Sequence, residues 1–229
     1  MARFPQQRGQ RGSQKWLQLA IENCCRDLNK PITNRLGIAE HELEWVSPVA
    51  GDDFAEYRDQ AFLDRVGISL TERSLSSFWP SRGPQWDGLA RSKRGDIVLV
   101  EAKAHIAEMT TSASQASEAS LAKIRAALQA TQAYLEIARD RDWAEAFYQY
   151  ANRLAHLYLL RTLNRLSAWL VFIHFIGDGE MRGPNSRDEW EKAIDGMHEA
   201  LGIGATHKLK PYVIDVFLGV NAIPDADGS

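Results

Sequence analysis

The segment 84–105 constrains the fold more than any other part of this sequence, because it predicts two strands joined by a tight turn. Residues 96–100 are short, mostly apolar and β-branched, which is typical of a buried strand. The turn at 93–95 ends in Gly95, which suits a three-residue loop whose last position needs a positive φ. The second strand runs into Glu101-Ala102-Lys103. Two charges at the end of a buried strand require an explanation.

The register of this hairpin predicts where its charges lie. We expect Ser92 to pair with Asp96 across the turn. The same register places Asp87 opposite Glu101, and the alternation of side chains puts both on the face that carries Lys103. Directly opposed Cβ atoms are about 4.5–5.5 Å apart, so two carboxylates there repel each other unless a cation lies between them. Mg²⁺ or Mn²⁺ would satisfy such a pair, since Mg²⁺ commonly takes one or two carboxylates with water and phosphate.

Asp87 followed by Glu101-Ala102-Lys103 on the next strand resembles the active-site motif of the PD-(D/E)XK nuclease superfamily, the restriction-endonuclease-like fold. The literal Pro-Asp pair of that motif is replaced here by Pro84-Gln85-Trp86-Asp87. The resemblance implies an α/β fold with a mixed central sheet flanked by helices. Without the resemblance, the same residues are a charged strand end with a surface ion pair.

The resemblance also implies an activity, which is metal-dependent hydrolysis of phosphodiester bonds in DNA by an endo- or exodeoxyribonuclease. Asp87 and Glu101 would bind Mg²⁺ or Mn²⁺, with the carbonyl of Ala102 as a further ligand. Lys103 would orient or help to deprotonate the attacking water and stabilise charge on the phosphate. The alternative is a non-catalytic nuclease-like domain that binds nucleic acid or a partner protein.

Further candidates follow from the same resemblance. Glu22, on the first predicted helix, is a candidate third metal ligand, because the first helix of the family often directs an acid to the metal. Arg91, Lys93 and Arg94 at the hairpin turn are candidate nucleic-acid contacts or ordinary solvated charges. A net charge of −3 means that a nucleic-acid binder must concentrate its cations locally. We therefore expect the cleft to be bordered by those three residues and by some of Lys15, Arg153 and Arg161.

Composition and patterning predict a cytoplasmic protein with a single domain. The chain has 45% hydrophobic and 25% charged residues, lacks an apolar leader, and has no apolar run of membrane-spanning length. The adjacent Cys24 and Cys25 are poorly placed for a disulfide with each other. We expect a domain at 13–221, disordered tails at 1–12 and 222–229, and no membrane partner. A homodimer is left open.

The remaining pattern predicts helices and strands in the order of the restriction-endonuclease-like core. That order is a helix, a meander of strands, a helical crossover, a strand, a helix and a final strand. Residues 40–46 are left open between strand and short helix. The predicted helices are 13–28, 52–63, 119–139, 143–163 and 187–201, and the predicted strands outside the hairpin are 67–75, 168–176 and 211–220.

Overall fold

A computed structural model of the protein describes residues 2–110, 116–138 and 141–224. The described helices and strands follow one another along the chain, with short 3₁₀ turns between several of them. The strands are β1 (Arg3–Phe4), β2 (Leu43–Ser47), β3 (Glu56–Tyr57), β4 (Gly88–Ser92), β5 (Ile97–Lys103), β6 (Ala168–Ile176) and β7 (Val213–Gly219). The α-helices are α1 (Gly12–Glu22), α2 (Arg26–Leu36), α3 (Gln60–Val66), α4 (Leu75–Phe78), α5 (Glu118–Tyr134), α6 (Tyr148–Tyr158) and α7 (Arg187–Leu201).

A five-stranded mixed sheet in the order β2-β4-β5-β6-β7 forms the centre of the fold. β2, β4 and β5 form an antiparallel meander. The long connection through α5 and α6 then brings β6 parallel to β5, and α7 leads to β7 parallel to β6. The predicted α/β class, with a mixed sheet flanked by helices, is confirmed.

The alternation of side chains along β5 divides the protein into two apolar cores. Ile97 and Leu99 point to the face covered by α5, α6 and α7, which we call the front face. Val98, Val100 and Ala102 point to the face covered by α1 and α2, which we call the back face. None of the helices in the described ranges combines the length and the apolarity needed to cross a bilayer.

The strongest sequence patterns gave accurate boundaries. The continuous apolar run became β6, and α7 begins where Ser186 accepts a hydrogen bond from the backbone of Glu189. It ends at Gly202, whose φ of +69° is the left-handed conformation favoured at helix C-termini.

Two predictions for the region before the hairpin were wrong. The helix predicted at 52–63 is a 3₁₀ turn, the short strand β3 and then α3. The strand predicted at 67–75 is irregular, and the first strand of the sheet is β2. The side chain of Asn164 accepts from the backbone N–H groups of Glu72 and Arg73 and donates to the carbonyl of Arg73. One distant amide therefore supplies hydrogen bonds that a neighbouring strand would have supplied.

The N-terminal segment also differs from the disordered tail predicted for 1–12. β1 pairs with β3, and the guanidinium of Arg3 donates to the carboxylates of Asp52 (3.0 Å) and Asp53 (2.8 Å). These partners lie 49 and 50 residues away in the sequence, so local composition does not reveal them. The predicted tail at 222–229 is described only as far as residue 224, and the rest lies outside the described residues.

The loop after β6 is packed closely against the end of β5. The buried carboxylate of Asp178 accepts the indole N–H of Trp16 (2.7 Å) and the backbone N–H of Met181 (3.2 Å). Gly183 lies so near β5 that an added Cβ would be 2.2 Å from the carbonyl oxygen of Ala104. This loop therefore supports the backbone directly after Lys103.

We expect Gly183→Ala to destabilise the protein by about 1–3 kcal/mol, since the added methyl group forces the two backbones apart. Chemical denaturation followed by tryptophan fluorescence would measure the change. Gly179→Ala in the same loop is the matched control, because no atom lies within 4 Å of the position that its Cβ would take. Equal stability of the two variants would contradict the close packing.

Candidate active site

The predicted hairpin register is confirmed. The pairs run from Gly88 opposite Val100 to Arg91 opposite Ile97, and Gly95 in the turn has a φ of +88°. One step beyond the pair of Gly88 and Val100, at the open end of the hairpin, Asp87 lies opposite Glu101 on the front face. The structure thus brings Asp87, Glu101 and Lys103 together at the carboxyl end of β5.

Asp87 is held beside β5 by its own carboxylate. The Oδ2 atom accepts the backbone N–H of Ala102 at 2.8 Å. Burial and the neighbouring charge of Glu101 raise the pKa of Asp87 to about 8, although Lys103 acts in the opposite direction. Asp87 is therefore largely protonated near pH 7 unless a further cation approaches it.

Glu101 is the most deeply buried carboxylate of the site, with 1% of its surface exposed. Lys103 donates to its Oε1 atom, and Arg153 donates to its Oε2 atom through Nε at 2.7 Å. Burial disfavours the charged form, but Arg153 and Lys103 outweigh it and hold the pKa of Glu101 below its usual range. Glu101 is thus an anion at neutral pH.

Lys103 is held as a cation. Its Nζ contacts Glu101 and donates to Oε1 of Gln149 on α6 at 2.9 Å. Burial alone would lower the pKa of Lys103, but the charges of Glu101 and Asp87 raise it above the usual value. A lysine in this state is suited to orienting water and stabilising negative charge, and it is poorly suited to removing a proton.

Arg153 connects the site to the segment before β4. Its Nη2 donates to the carbonyl of Gln85 at 2.7 Å, and its Nη1 donates to Asn152 at 2.9 Å. The guanidinium also lies over the ring of Trp86, 4.6 Å from the centroid. With 2% of its surface exposed, Arg153 is fixed in one position.

Glu56 on β3 is a third carboxylate at the edge of the site. It accepts the side-chain amide of Gln85 at 2.6 Å. Burial and, secondarily, the charge of Glu101 raise the pKa of Glu56. Burial, and secondarily the ionised carboxylate of Glu101, thus raises the pKa of both Asp87 and Glu56.

Sequence reasoning missed the contributions of α6 and β3. Gln149 and Arg153 are four residues apart on a largely apolar helix, and this spacing places both long polar side chains on one face. That signal was present, but the pattern favoured a core or interface role for Arg153. Glu56 was missed because its segment was predicted as a helix with solvated charges.

The turn residues are not part of the site. Gly95 in the turn and Glu101 near the end of β5 are six residues apart, which is about 20 Å at roughly 3.3 Å per residue. Arg91 pairs with Glu44 (2.8 Å), Arg94 lies 3.4 Å from Glu42, and Lys93 is exposed. The turn and the site are opposite ends of the same hairpin, so these cations cannot border the cleft.

Most of the other expected cations also lie elsewhere. Lys15 is on α1, behind the sheet, and Arg161 packs on Trp169 and Tyr212 near the start of β6. Some of Lys15, Arg153 and Arg161 were expected at the cleft, and of these Arg153 reaches it. The expectation of a basic border is wrong for Arg91, Lys93 and Arg94 at the turn.

Glu22 is separated from the proposed metal ligands by the sheet. It belongs to α1 on the back face, where its carboxylate pairs with Arg8 at 2.6 Å. The structure does not bring it to Asp87 or Glu101. Its predicted role as a metal ligand has no geometric support.

Comparison of the chain with protein-family models, with curated proteins and with solved structures gives no match. The resemblance to PD-(D/E)XK nucleases therefore stays a prediction from the motif.

The donor set fits a divalent ion held by few protein ligands. Within the described ranges, no group of three or more His, Cys, Asp or Glu side chains is arranged to hold a metal ion. Asp87 and Glu101 nevertheless form an opposed pair of carboxylates, and burial together with the charge of Glu101 keeps Asp87 largely protonated near pH 7. This pattern suits Mg²⁺, which commonly uses one or two carboxylates and completes its shell with water and phosphate oxygens.

We expect Asp87→Asn to reduce the pH dependence of stability. In the native wild type, Asp87 keeps its proton up to about pH 8. In the unfolded chain it loses that proton near about pH 3.9. The native state thus binds more protons between these pH values, so this group makes stability fall as pH rises. Asn carries no titrating proton, so the stability of the variant relative to wild type should increase from pH 5 to pH 8.

Urea denaturation in metal-free buffer at several pH values would measure this difference. Glu56 contributes a slope of the same sign, so part of the pH dependence should remain. A difference between variant and wild type that is constant with pH would contradict the raised pKa of Asp87.

We expect the pair of Glu101 and Arg153 to be strongly coupled. Arg153→Met or Glu101→Gln should each destabilise the protein by about 3–5 kcal/mol, because each leaves a buried charge without its partner. The double variant should lose less than the sum, by about 0.5–3 kcal/mol. Denaturant unfolding of all four proteins would give the coupling.

Arg91→Met, which breaks the exposed pair with Glu44, is the matched control and should cost at most about 1 kcal/mol. Additive losses at residues 101 and 153 would show that the buried contact is not energetically important.

Proposed function

We propose that this protein is a metal-dependent phosphodiesterase that acts on nucleic acid, with DNA as the first candidate substrate. The observation that carries the proposal is the convergence of Asp87, Glu101 and Lys103 on the front face at the end of β5. This arrangement combines an opposed carboxylate pair with a cation. The resemblance of these residues to the PD-(D/E)XK motif supports the same conclusion.

Asp87 and Glu101 would hold Mg²⁺ or Mn²⁺, with the carbonyl of Ala102 available as a further ligand. When bound, such an ion polarises a phosphate and lowers the pKa of a coordinated water. The chain would release a proton on binding the ion, because the Asp87 carboxyl retains one near neutral pH in its absence.

Lys103 would act on the charge that develops during the reaction. Glu101 and Gln149 hold its ammonium group at the edge of the carboxylate pair. A positioned cation there stabilises the extra negative charge on the phosphate oxygens in the transition state. Because Lys103 stays protonated, we do not assign it the removal of a proton from water.

A binding function without catalysis is the competing proposal. It is favoured by the pairing of Glu101 with both Lys103 and Arg153, which neutralises this carboxylate without a metal ion. Incubation with plasmid and single-stranded DNA in the presence of Mg²⁺ or Mn²⁺ separates the two. Cleavage supports the phosphodiesterase, whereas binding without cleavage supports the alternative. A homodimer and a cytoplasmic location stay predictions from the sequence.

We expect Lys103→Ala to reduce turnover by about 10²–10³, the usual effect of losing one group that stabilises transition-state charge. Its Mn²⁺ affinity should be retained or slightly increased, because both carboxylates remain and a nearby cation is gone. Calorimetric Mn²⁺ titration beside a DNA-cleavage assay would measure both quantities.

Lys93→Ala at the far end of the hairpin is the matched control and should cleave at the wild-type rate. If Lys103→Ala cleaves as fast as Lys93→Ala, the activity belongs to another part of the protein or Lys103 has no role in it.

A further inference from the structure

Arg153 occupies a position beside Glu101 that a metal ion could otherwise take. Its Nε and Nη2 atoms both contact Oε2 of Glu101, while Lys103 contacts Oε1. Both oxygens of this carboxylate therefore already face a fixed positive charge within the protein.

The guanidinium is held too firmly to move away readily. Nη2 also donates to the carbonyl of Gln85, Nη1 donates to Asn152, and the ring of Trp86 lies under the guanidinium plane. Arg153 lies on α6, whereas Gln85 and Trp86 directly precede β4. Displacing the side chain would leave several buried polar groups unpaired, each at a cost of about 1–3 kcal/mol.

The charges of the site set a limit on how many divalent ions it can take. Fully ionised, Glu56, Asp87 and Glu101 supply three negative charges against the two positive charges of Lys103 and Arg153. One divalent ion changes the net charge from −1 to +1, and a second would raise it to +3. Concentrating that charge in a buried site is strongly unfavourable.

We propose that Arg153 takes the place of a second metal ion beside Glu101, so that the site binds one divalent ion per chain. The inference rests on the proposed function. Two-metal sites hold their ions about 3.5–4 Å apart and use both to clamp the reacting phosphate. Here the fixed guanidinium of Arg153 supplies the positive charge that a second ion would bring to Glu101. It acts through Glu101 without touching the substrate. Arg153 is therefore a positioning residue.

The number of bound ions in the wild-type protein tests this proposal directly. Calorimetric titration with Mn²⁺ should give one ion per chain at this site. The electron paramagnetic resonance spectrum of the bound Mn²⁺ should be that of an isolated ion. Two ions per chain with a spin-coupled spectrum would overturn the role of Arg153 and leave the proposed phosphodiesterase intact. Absence of both Mn²⁺ binding and metal-dependent cleavage would overturn the proposed function and this inference together.

Variants at residue 153 test the cause. Arg153→Met should admit a second Mn²⁺ ion, so the stoichiometry rises from one to two and spin coupling appears. Arg153→Lys, which keeps the positive charge, should still bind one. Arg161→Met removes an arginine packed on two aromatic rings away from the site, and it should leave the stoichiometry unchanged.

An unchanged stoichiometry and affinity in Arg153→Met would overturn the proposal. If that variant does not fold, the wild-type stoichiometry and spectrum still decide the question.

Discussion

The ionised carboxylate of Glu101, buried at the end of β5, is the constraint on which the rest of the site depends. A buried anion is costly unless cations and hydrogen bonds compensate for it. Lys103 supplies one cation from the same strand, and Arg153 supplies the other from α6. Because Arg153 on α6 donates to Glu101, it connects the crossover helix to the sheet. Because it also donates to the carbonyl of Gln85, it connects that helix to the segment before Asp87.

The part of the site that follows from local rules was accessible from the sequence. The alternation of side chains and the turn at Gly95 were enough to place Asp87 opposite Glu101, because a short hairpin allows few registers. The same holds for β6 and α7, whose patterns are long and unambiguous. The mixed α/β class followed from the order of these elements.

The rest depends on contacts between distant parts of the chain, which local patterns do not encode. Arg153 is 52 residues from Glu101, and Glu56 reaches the site through a two-residue strand too short to give a periodic signal. The error over Arg91, Lys93 and Arg94 has a different origin. These residues lie at the turn or next to it, and the length of the strands separates the turn from the open end of the hairpin, where the site lies. The prediction for Glu22 was wrong because α1 covers the back face of the sheet. The resemblance to the family suggested an acid on the first helix but did not indicate which face that helix covers.

The confirmed register makes the hairpin a spacer of fixed length. Between Asp87 and Glu101 the chain can exchange many side chains and keep its geometry, but it cannot gain or lose a single residue freely. An insertion within β4 would reverse the facing of every side chain before it, and Asp87 would then point to the back face, towards α1 and α2. This segment should therefore tolerate substitutions but not changes in length. Insertions and deletions there should be far more damaging than substitutions at the turn.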